Sequence, residues 1–124
     1  MSNQVGAFSS PPLDGSGAAV YKTPLNLMGS LQGIYVALGE SGDPIDITIT
    51  TTASPAYPPA QTLLSRSSLS AGGYFPIRIA DGQEPDGTVI ANLGLSFELH
   101  QPATIVIANG TPADVINVWF VLSR

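Results

Sequence analysis

His100 is the one histidine of the 124-residue chain and the first candidate for catalysis. It ends the alternating run from Leu95 on the polar face and is followed directly by Gln101-Pro102. A serine hydrolase needs such a histidine beside an activated serine, but Gly39-Glu40-Ser41-Gly42 does not match the G-x-S-x-G turn. Zinc sites need several histidine or cysteine ligands, and the chain has no cysteine. The pattern therefore favours a solvent-facing histidine.

Acidic side chains suggest two further kinds of site. Glycosidases use a pair of carboxylates, but nothing in the spacing sets Glu40, Glu84 and Glu98 apart. The loop Asp81–Gly87 offers three carboxylates whose hard oxygens suit Ca²⁺. The loop does not follow the EF-hand pattern, and a solvated turn in which Asp and Gly satisfy special backbone angles is the favoured interpretation. We therefore predict that the chain is not an enzyme and has no catalytic, cofactor-binding or metal-binding residues.

Other residues suit binding rather than catalysis. Four aromatic side chains are candidates for a sugar-stacking platform: Tyr35, Tyr57, Tyr74 and Trp119. Trp119 lies in the most apolar segment, Val115 to Leu122, so packing in the core or an interface is the favoured interpretation. Thr48, Thr50 and Thr52 line one strand face, as in ice-binding ladders, but a single row without repeats is typical of a wet sheet face.

Charge is sparse and acidic. Charged residues make up 10% of the chain, well below the usual ~25%, and the formal net charge is −5. The four basic residues are scattered and form no basic stripe: Lys22, Arg66, Arg78 and Arg124. This distribution argues against nucleic acid and anionic membrane as partners. A surface poor in charge costs less to desolvate, which suits a protein that neighbours will cover.

Residues 1–32 have no two-residue period and are punctuated by Ser-Pro-Pro and Gly-Ser turns, so they are predicted to form an N-terminal arm. A helix is the alternative there, because Thr23-Pro24 resembles a helix start and Leu27, Leu31, Ile34 and Leu38 have near-helical spacing. Gly29 and Gly33 within that span count against it.

From residue 33 to residue 124 the pattern predicts one domain of seven or eight short strands. The clearest is Ile45 to Thr50, where isoleucines alternate with polar residues. Thr104–Ala108 and Val115–Leu122 flank an Asn-Gly turn and predict a β-hairpin. The predicted fold is all-β, an antiparallel β-sandwich or jelly roll with an extended N-terminal arm. Further strands are predicted at residues 34–38, 62–65, 74–79, 88–92 and 95–100.

The second half of the chain resembles the small β-sandwich virion proteins of tailed bacteriophages. The resemblance rests on Gly72-Gly73-Tyr74-Phe75-Pro76-Ile77-Arg78, on the turn Asp81-Gly82 and on the closing run Val118-Trp119-Phe120-Val121-Leu122. It covers about residues 60–124. It implies a capsid decoration protein or another accessory structural protein of the virion, assembled in the host cytoplasm.

The partner implied by this resemblance is the major capsid protein or another virion protein, with the chain itself a homo-oligomer and a trimer favoured. The N-terminal arm would then reach a neighbouring subunit through an extended strand. The alternative function is a carbohydrate- or receptor-binding module of a phage tail or fibre, which requires an exposed aromatic platform.

Overall fold

The structure, a computed structural model, describes residues 3–23, 29–52, 61–76, 82–83, 89–90, 97–99 and 102–123. These residues form β-strands and no helix, and so no helix there is long and apolar enough to cross a membrane. The strands are β1 (Asn3–Ser9), β2 (Ala19–Lys22), β3 (Gly29–Ala37), β4 (Ile45–Thr51), β5 (Thr62–Leu69), β6 (Gly73–Pro76), β7 (Gly82–Gln83), β8 (Val89–Ile90), β9 (Phe97–Leu99), β10 (Ala103–Ala108) and β11 (Asn117–Ser123).

The strands form two antiparallel sheets and a short separate pair. Sheet A has the order β1-β11-β3-β6, and β9 pairs with β3 on the same edge as β6. Sheet B has the order β2-β10-β4-β5. The pair β7-β8 stands apart from both. The all-β antiparallel architecture predicted from the sequence is confirmed for the described residues.

The strand pairing is nested along the chain. The first strand, β1, pairs with the last, β11, and β2 pairs with β10. Inside these pairs β3 meets β6, and β4 meets β5 at the centre. Successive strands from β1 to β4 therefore alternate between sheet A and sheet B, so each connection between them crosses from one sheet to the other.

A single hydrophobic core lies between the sheets. Alternate residues of β4 are buried and the residues between them are half-buried, as the two-residue period of the sequence predicts. The opposite wall comes from β3 and β11, whose Val36, Val118 and Phe120 are fully buried. Two sheets that share one core in this way form a β-sandwich. The buried isoleucines of the two sheets are Ile34, Ile45, Ile47, Ile49, Ile105 and Ile107.

The predicted N-terminal arm over residues 1–32 is not confirmed, because the described part of that segment takes part in both sheets. β1 pairs with β11 over seven consecutive residues, and β2 pairs with β10 over four. Leu13 lies between them and is only 3% exposed. Its backbone exchanges hydrogen bonds with the 113–114 turn at 2.9 Å, from Leu13 N–H to Asp114 O and from Ala113 N–H to Leu13 O.

The helical alternative over residues 27–38 is wrong, since residues 29–37 form β3. The apolar residues of this segment fit both a helical spacing and, from Ile34 to Val36, the alternation of a strand. Pairing with β11 selects the strand. The strands predicted from residue 33 onward are found, with shifted ends, wherever the structure describes them.

The predicted hairpin of β10 and β11 is also wrong. Both strands form, but β10 lies in sheet B and β11 in sheet A, so residues 109–116 cross between sheets. Asn109 has a left-handed φ of 58°, as a turn residue should. The Gly110 N–H donates to the carbonyl of Gly17 at 2.9 Å, so this turn packs against the 10–18 loop. Two strongly apolar strands here face each other across the core instead of pairing side by side.

The substitution Leu13→Ala tests whether residues 1–32 form an arm or are an integral part of the fold. If residues 1–32 were an arm without its own core, this change would not affect stability. In the structure it removes a buried side chain and should lower the free energy of unfolding by about 2–5 kcal/mol. Val20→Ala is the matched control, since Val20 lies in the same segment and is 66% exposed. Urea denaturation of both variants makes the comparison, and equal stabilities would contradict the buried position of Leu13.

Candidate functional site

An aromatic row crosses the outer face of sheet A. Trp119 of β11 lies directly opposite Tyr35 of β3, and Tyr35 lies directly opposite Tyr74 of β6. Ala7 of β1 continues the row beyond Trp119. Tyr35 and Trp119 are placed outward because their chain neighbours fill the core, as Ile34 and Val36 do on either side of Tyr35. Tyr74 is exposed beside Phe75, which packs against the core. We call Trp119, Tyr35 and Tyr74 the aromatic row.

The aromatic row is accessible to a partner. Tyr35 is 44% exposed and Tyr74 is 48% exposed, which is unusual for large apolar side chains that stand next to one another. Trp119 is half-buried and packs edge to face with Tyr35, with ring centroids 5.4 Å apart and ring planes inclined at 76°. Trp119 therefore belongs to the surface rather than to the core. Packing of Trp119 in the core, one of the two interpretations that the sequence favours, is therefore wrong, and packing in an interface stays a prediction.

Gly33 forms the floor beneath the end of the row. A Cβ atom at position 33 would lie 2.3 Å from the ring of Tyr74, far inside contact distance. The Tyr74 ring therefore packs on the backbone of Gly33. Gly33 is the diagonal neighbour of Tyr74 on β3, two residues before Tyr35, with which Tyr74 pairs directly. The ring can pack against the sheet only because Gly33 has no side chain. In the sequence Gly33 is notable only as a residue unfavourable to a helix, and no local signal indicates this role.

The described surroundings of the row carry no charge. Along β11 the outward residues are Asn117, Trp119 and Val121. At one end Ser9 of β1 donates a hydrogen bond to the side-chain oxygen of Asn117 at 2.5 Å. The described outward side chains of β1, β3, β6 and β11 are neutral, so a partner can cover this part of the face without desolvating an ion.

Of the remaining predicted site residues, few have described side chains. Glu40 lies in the exposed turn that follows β3. Tyr57, Glu84 and His100 lie outside the described residues, as does most of the Asp81–Gly87 loop, whose Gly82 and Gln83 form β7. Glu98 is described only by its backbone in β9, where it pairs with Ser30. Within the described residues no group of three or more His, Cys, Asp or Glu side chains could hold a metal ion.

The outer face of sheet B differs from the aromatic row. Val20, Val106 and Thr48 lie opposite one another across β2, β10 and β4. Thr104 and Thr50 form the adjacent pair. The threonines predicted to line a wet sheet face thus lie there, mixed with two exposed valines. Lys22 pairs with Thr104 and adds one charge beside them, and Asp46 of β4 adds a second. The residues of β2, β10 and β4 on this face are otherwise small or β-branched, and none is aromatic.

A groove lies between the free edges of β5 and β6. The guanidinium carbon of Arg66 stands 5.2 Å from the centroid of the Phe75 ring and so bridges sheet B to sheet A. The groove has a volume of about 460 Å³ and is lined mainly by the β5–β6 connection, including Ser67, Ser70 and Gly72. The arginine covers the side of the core where the two sheet edges approach each other.

Carboxylates tie loops together at one end of the sandwich. Asp46 accepts hydrogen bonds from the Ser68 backbone N–H at 2.7 Å and from the Asn109 side chain at 2.6 Å. These two bonds hold the pKa of the Asp46 carboxyl below its ordinary value, with the Ser68 bond the larger cause. Asp114 and Asp43 accept short hydrogen bonds from Ser41 and Thr111, respectively, which link the 38–44 and 109–116 loops.

Comparisons of the chain with protein-family models, with curated proteins and with solved structures gave no match. Function is therefore argued from the geometry of the described residues.

Gly33→Ala tests the floor of the aromatic row. The added methyl group must displace the Tyr74 ring, so the free energy of unfolding should fall by about 1–3 kcal/mol. In a Tyr74→Ala background the same change should cost much less, which a double-mutant cycle measures as coupling. Gly73→Ala is the control, because a Cβ atom there would meet nothing within 4 Å. An equal cost of Gly33→Ala in both backgrounds would contradict the stacking.

The carboxylate of Asp46 should make stability depend on acid pH. Because its folded-state pKa lies below the ordinary 3.8, its contribution is present above that value and is lost as pH falls through the folded pKa. Asp46→Asn should therefore be less stable than wild type at neutral pH and lose less stability on acidification from pH ~5 to ~3. Thermal unfolding across that range measures both slopes. Thr48→Ala, two residues further along the same strand and without a titratable group, is the control and should keep the wild-type slope.

Proposed function

We propose that the chain is a structural virion protein that decorates the capsid by binding the major capsid protein, and that the aromatic row is its docking face. The observation that carries the proposal is the line of uncharged aromatic side chains across sheet A, in which Tyr35 and Tyr74 are exposed and Trp119 is half-buried. Tyrosine and tryptophan dominate the centres of protein interfaces because they bury much area at a small cost in conformational entropy.

A jelly-roll connectivity is part of the proposal. Its support is the nested pairing of β1 with β11, β2 with β10, β3 with β6 and β4 with β5, which is the pattern of one long antiparallel hairpin rolled into two sheets. Jelly rolls are common in viral capsid domains and also in lectins. The fold is therefore compatible both with capsid decoration and with carbohydrate binding. The choice between these functions depends on the chemistry of the aromatic row. An N-terminal arm that reaches a neighbour stays a prediction.

The location and the partner follow from the same proposal. The chain would be made in the host cytoplasm and act in the virion, as the resemblance to bacteriophage accessory proteins implies. Its neutral outer face suits a protein partner better than a polyanion, since Lys22 and Arg66 are the only basic residues with described side chains and neither lies in the row. No catalytic step is assigned to any residue.

A carbohydrate- or receptor-binding module of a tail or fibre is the second candidate. It is favoured by the fact that three of the four aromatic residues proposed for a sugar platform share one face. Against it, the ring planes of Tyr35 and Trp119 are inclined at 76°, so the two rings cannot both lie flat beneath one sugar chain. Stacking on sugars uses ring faces, whereas protein side chains pack against ring faces and edges alike.

Binding of variants to shells tests the leading proposal. Tyr35→Ala and Tyr74→Ala should each weaken co-sedimentation with purified shells of the major capsid protein at least tenfold, as expected for central aromatic residues of an interface. Thr48→Ala and Thr50→Ala are the controls, because they remove side chains from the outer face of the other sheet, sheet B. Both variants should bind shells as wild type does. Wild-type binding by both tyrosine variants would overturn the docking face.

A glycan array separates the second candidate from the first. Under the leading proposal wild-type protein binds no glycan on the array. Glycan binding that is lost in Tyr35→Ala or Tyr74→Ala, together with unchanged binding of those variants to shells, would replace the leading proposal with the carbohydrate-binding function.

A further inference from the structure

The outer strands of the two sheets differ in how they are protected against pairing with another chain. A strand at the edge of a sheet exposes a row of unpaired N–H and C=O groups, and natural proteins block such edges with short length, proline, charge or bulges. The described sheets have four edges. They are formed by β1 on sheet A, by β6 and β9 on the other side of sheet A, and by β2 and β5 on sheet B.

Three of these edges are blocked. β6 has four residues and ends at Pro76, which has no N–H, and β9 has three residues. β2 also has only four residues and carries the charge of Lys22. β5 is longer, but its pairing with β4 is interrupted by two register shifts, Ser68 has a φ of 51°, and Arg66 adds a charge.

β1 has none of these protections. It is seven residues long, from Asn3 to Ser9, and it pairs with β11 without a break in register. Its sequence, NQVGAFS, holds no proline and no charged residue. Phe8 fixes it to the sheet by an edge-to-face contact with Phe120, at a centroid distance of 5.7 Å. The strand is thus held in place, and no described strand pairs with its second edge.

We infer that β1 pairs antiparallel with β1 of a second copy of this chain, across a twofold axis perpendicular to sheet A. The properties of β1 indicate which strand would pair with it. A long, regular edge is best matched by a strand of equal length and regularity, and β1 of a second copy is such a strand. Because β1 carries no charge, the pairing brings no like charges together along the strand even though each chain has a net charge of −5.

The twofold arrangement has a consequence for the outer face. An axis perpendicular to the sheet keeps the outer faces of both copies on the same side. Ala7, at the β1 end of each aromatic row, then lies near the axis, and the two rows run outward from it across one continuous sheet. The inference does not depend on the proposed function, because it concerns the purified chain alone.

Sedimentation velocity of purified wild type and variants tests the pairing. Wild type should form a dimer of twice the 12.8 kDa chain mass. Ala7→Lys, at an exposed position of β1 close to the axis, should raise the dimer dissociation constant at least tenfold. Ser65→Lys places the same charge at an exposed position of the edge strand β5 and should leave the dimer intact. Wild type that stays monomeric, a trimer, or a dimer insensitive to Ala7→Lys would each overturn the inference.

Two further measurements do not depend on how the lysine variant folds. Amide hydrogen exchange of wild type should slow at residues 3–9 as protein concentration rises, and concentration-independent exchange there would overturn the pairing. A Ser9→Cys/Asn117→Cys variant joins positions directly opposite in β1 and β11, and the chain has no other cysteine. Its disulfide should form within one chain. Chains linked to each other by that bond would instead show that β1 exchanges between copies, which overturns edge pairing.

Discussion

Alternation along the β-strand is the constraint on which the rest of this molecule depends. Successive side chains of a strand point to opposite faces, so every residue assigned to the core fixes the direction of its neighbours. In β11 the burial of Val118 and Phe120 forces Trp119 outward, and in β3 Ile34 and Val36 do the same for Tyr35. The aromatic row is therefore a direct consequence of how the core is filled, combined with a register that sets these strands side by side.

The same constraint gives the two outer faces different chemistry. Sheet A presents aromatic rings, amides and small residues, whereas sheet B presents threonine and valine together with the charged Lys22 and Asp46. The described charges of the sheets lie in sheet B, at Lys22, Asp46 and Arg66, and further carboxylates lie in loops, such as those of Asp14, Asp43 and Asp114. Apolar contact with a partner is strong where large rings are buried and weak where small β-branched side chains are covered. The two faces are thus unequal as interaction surfaces, and the aromatic one is the better candidate for a lasting contact.

Local pattern was sufficient for some features and insufficient for others. The isoleucine alternation of β4 predicts both its strand and its buried face, because one strand contains all the information. β1 and β2 were missed, since Gly6, Ala7 and Ala19 have little β propensity and both strands depend on partners about one hundred residues away. The Asn-Gly turn after β10 signals a reversal, but only the distant partners of β10 and β11 decide that the two strands lie in different sheets.

The candidate site shows the same limit. Tyr35, Tyr74 and Trp119 stand out by residue type, yet nothing local indicates that they form one line across three strands. That line exists only once β11, β3 and β6 have found their register. Gly33 is still harder to recognise, because its contribution is the space that it leaves for Tyr74.

Nested pairing also determines when the molecule can fold during its synthesis. β1 leaves the ribosome before the other described strands but finds its partner only after residues 117–123 have emerged, and β2 waits almost as long for β10. Until then their pairing edges and the apolar side of the half-built core remain open to solvent, which is the state most exposed to chaperones and to association with other nascent chains.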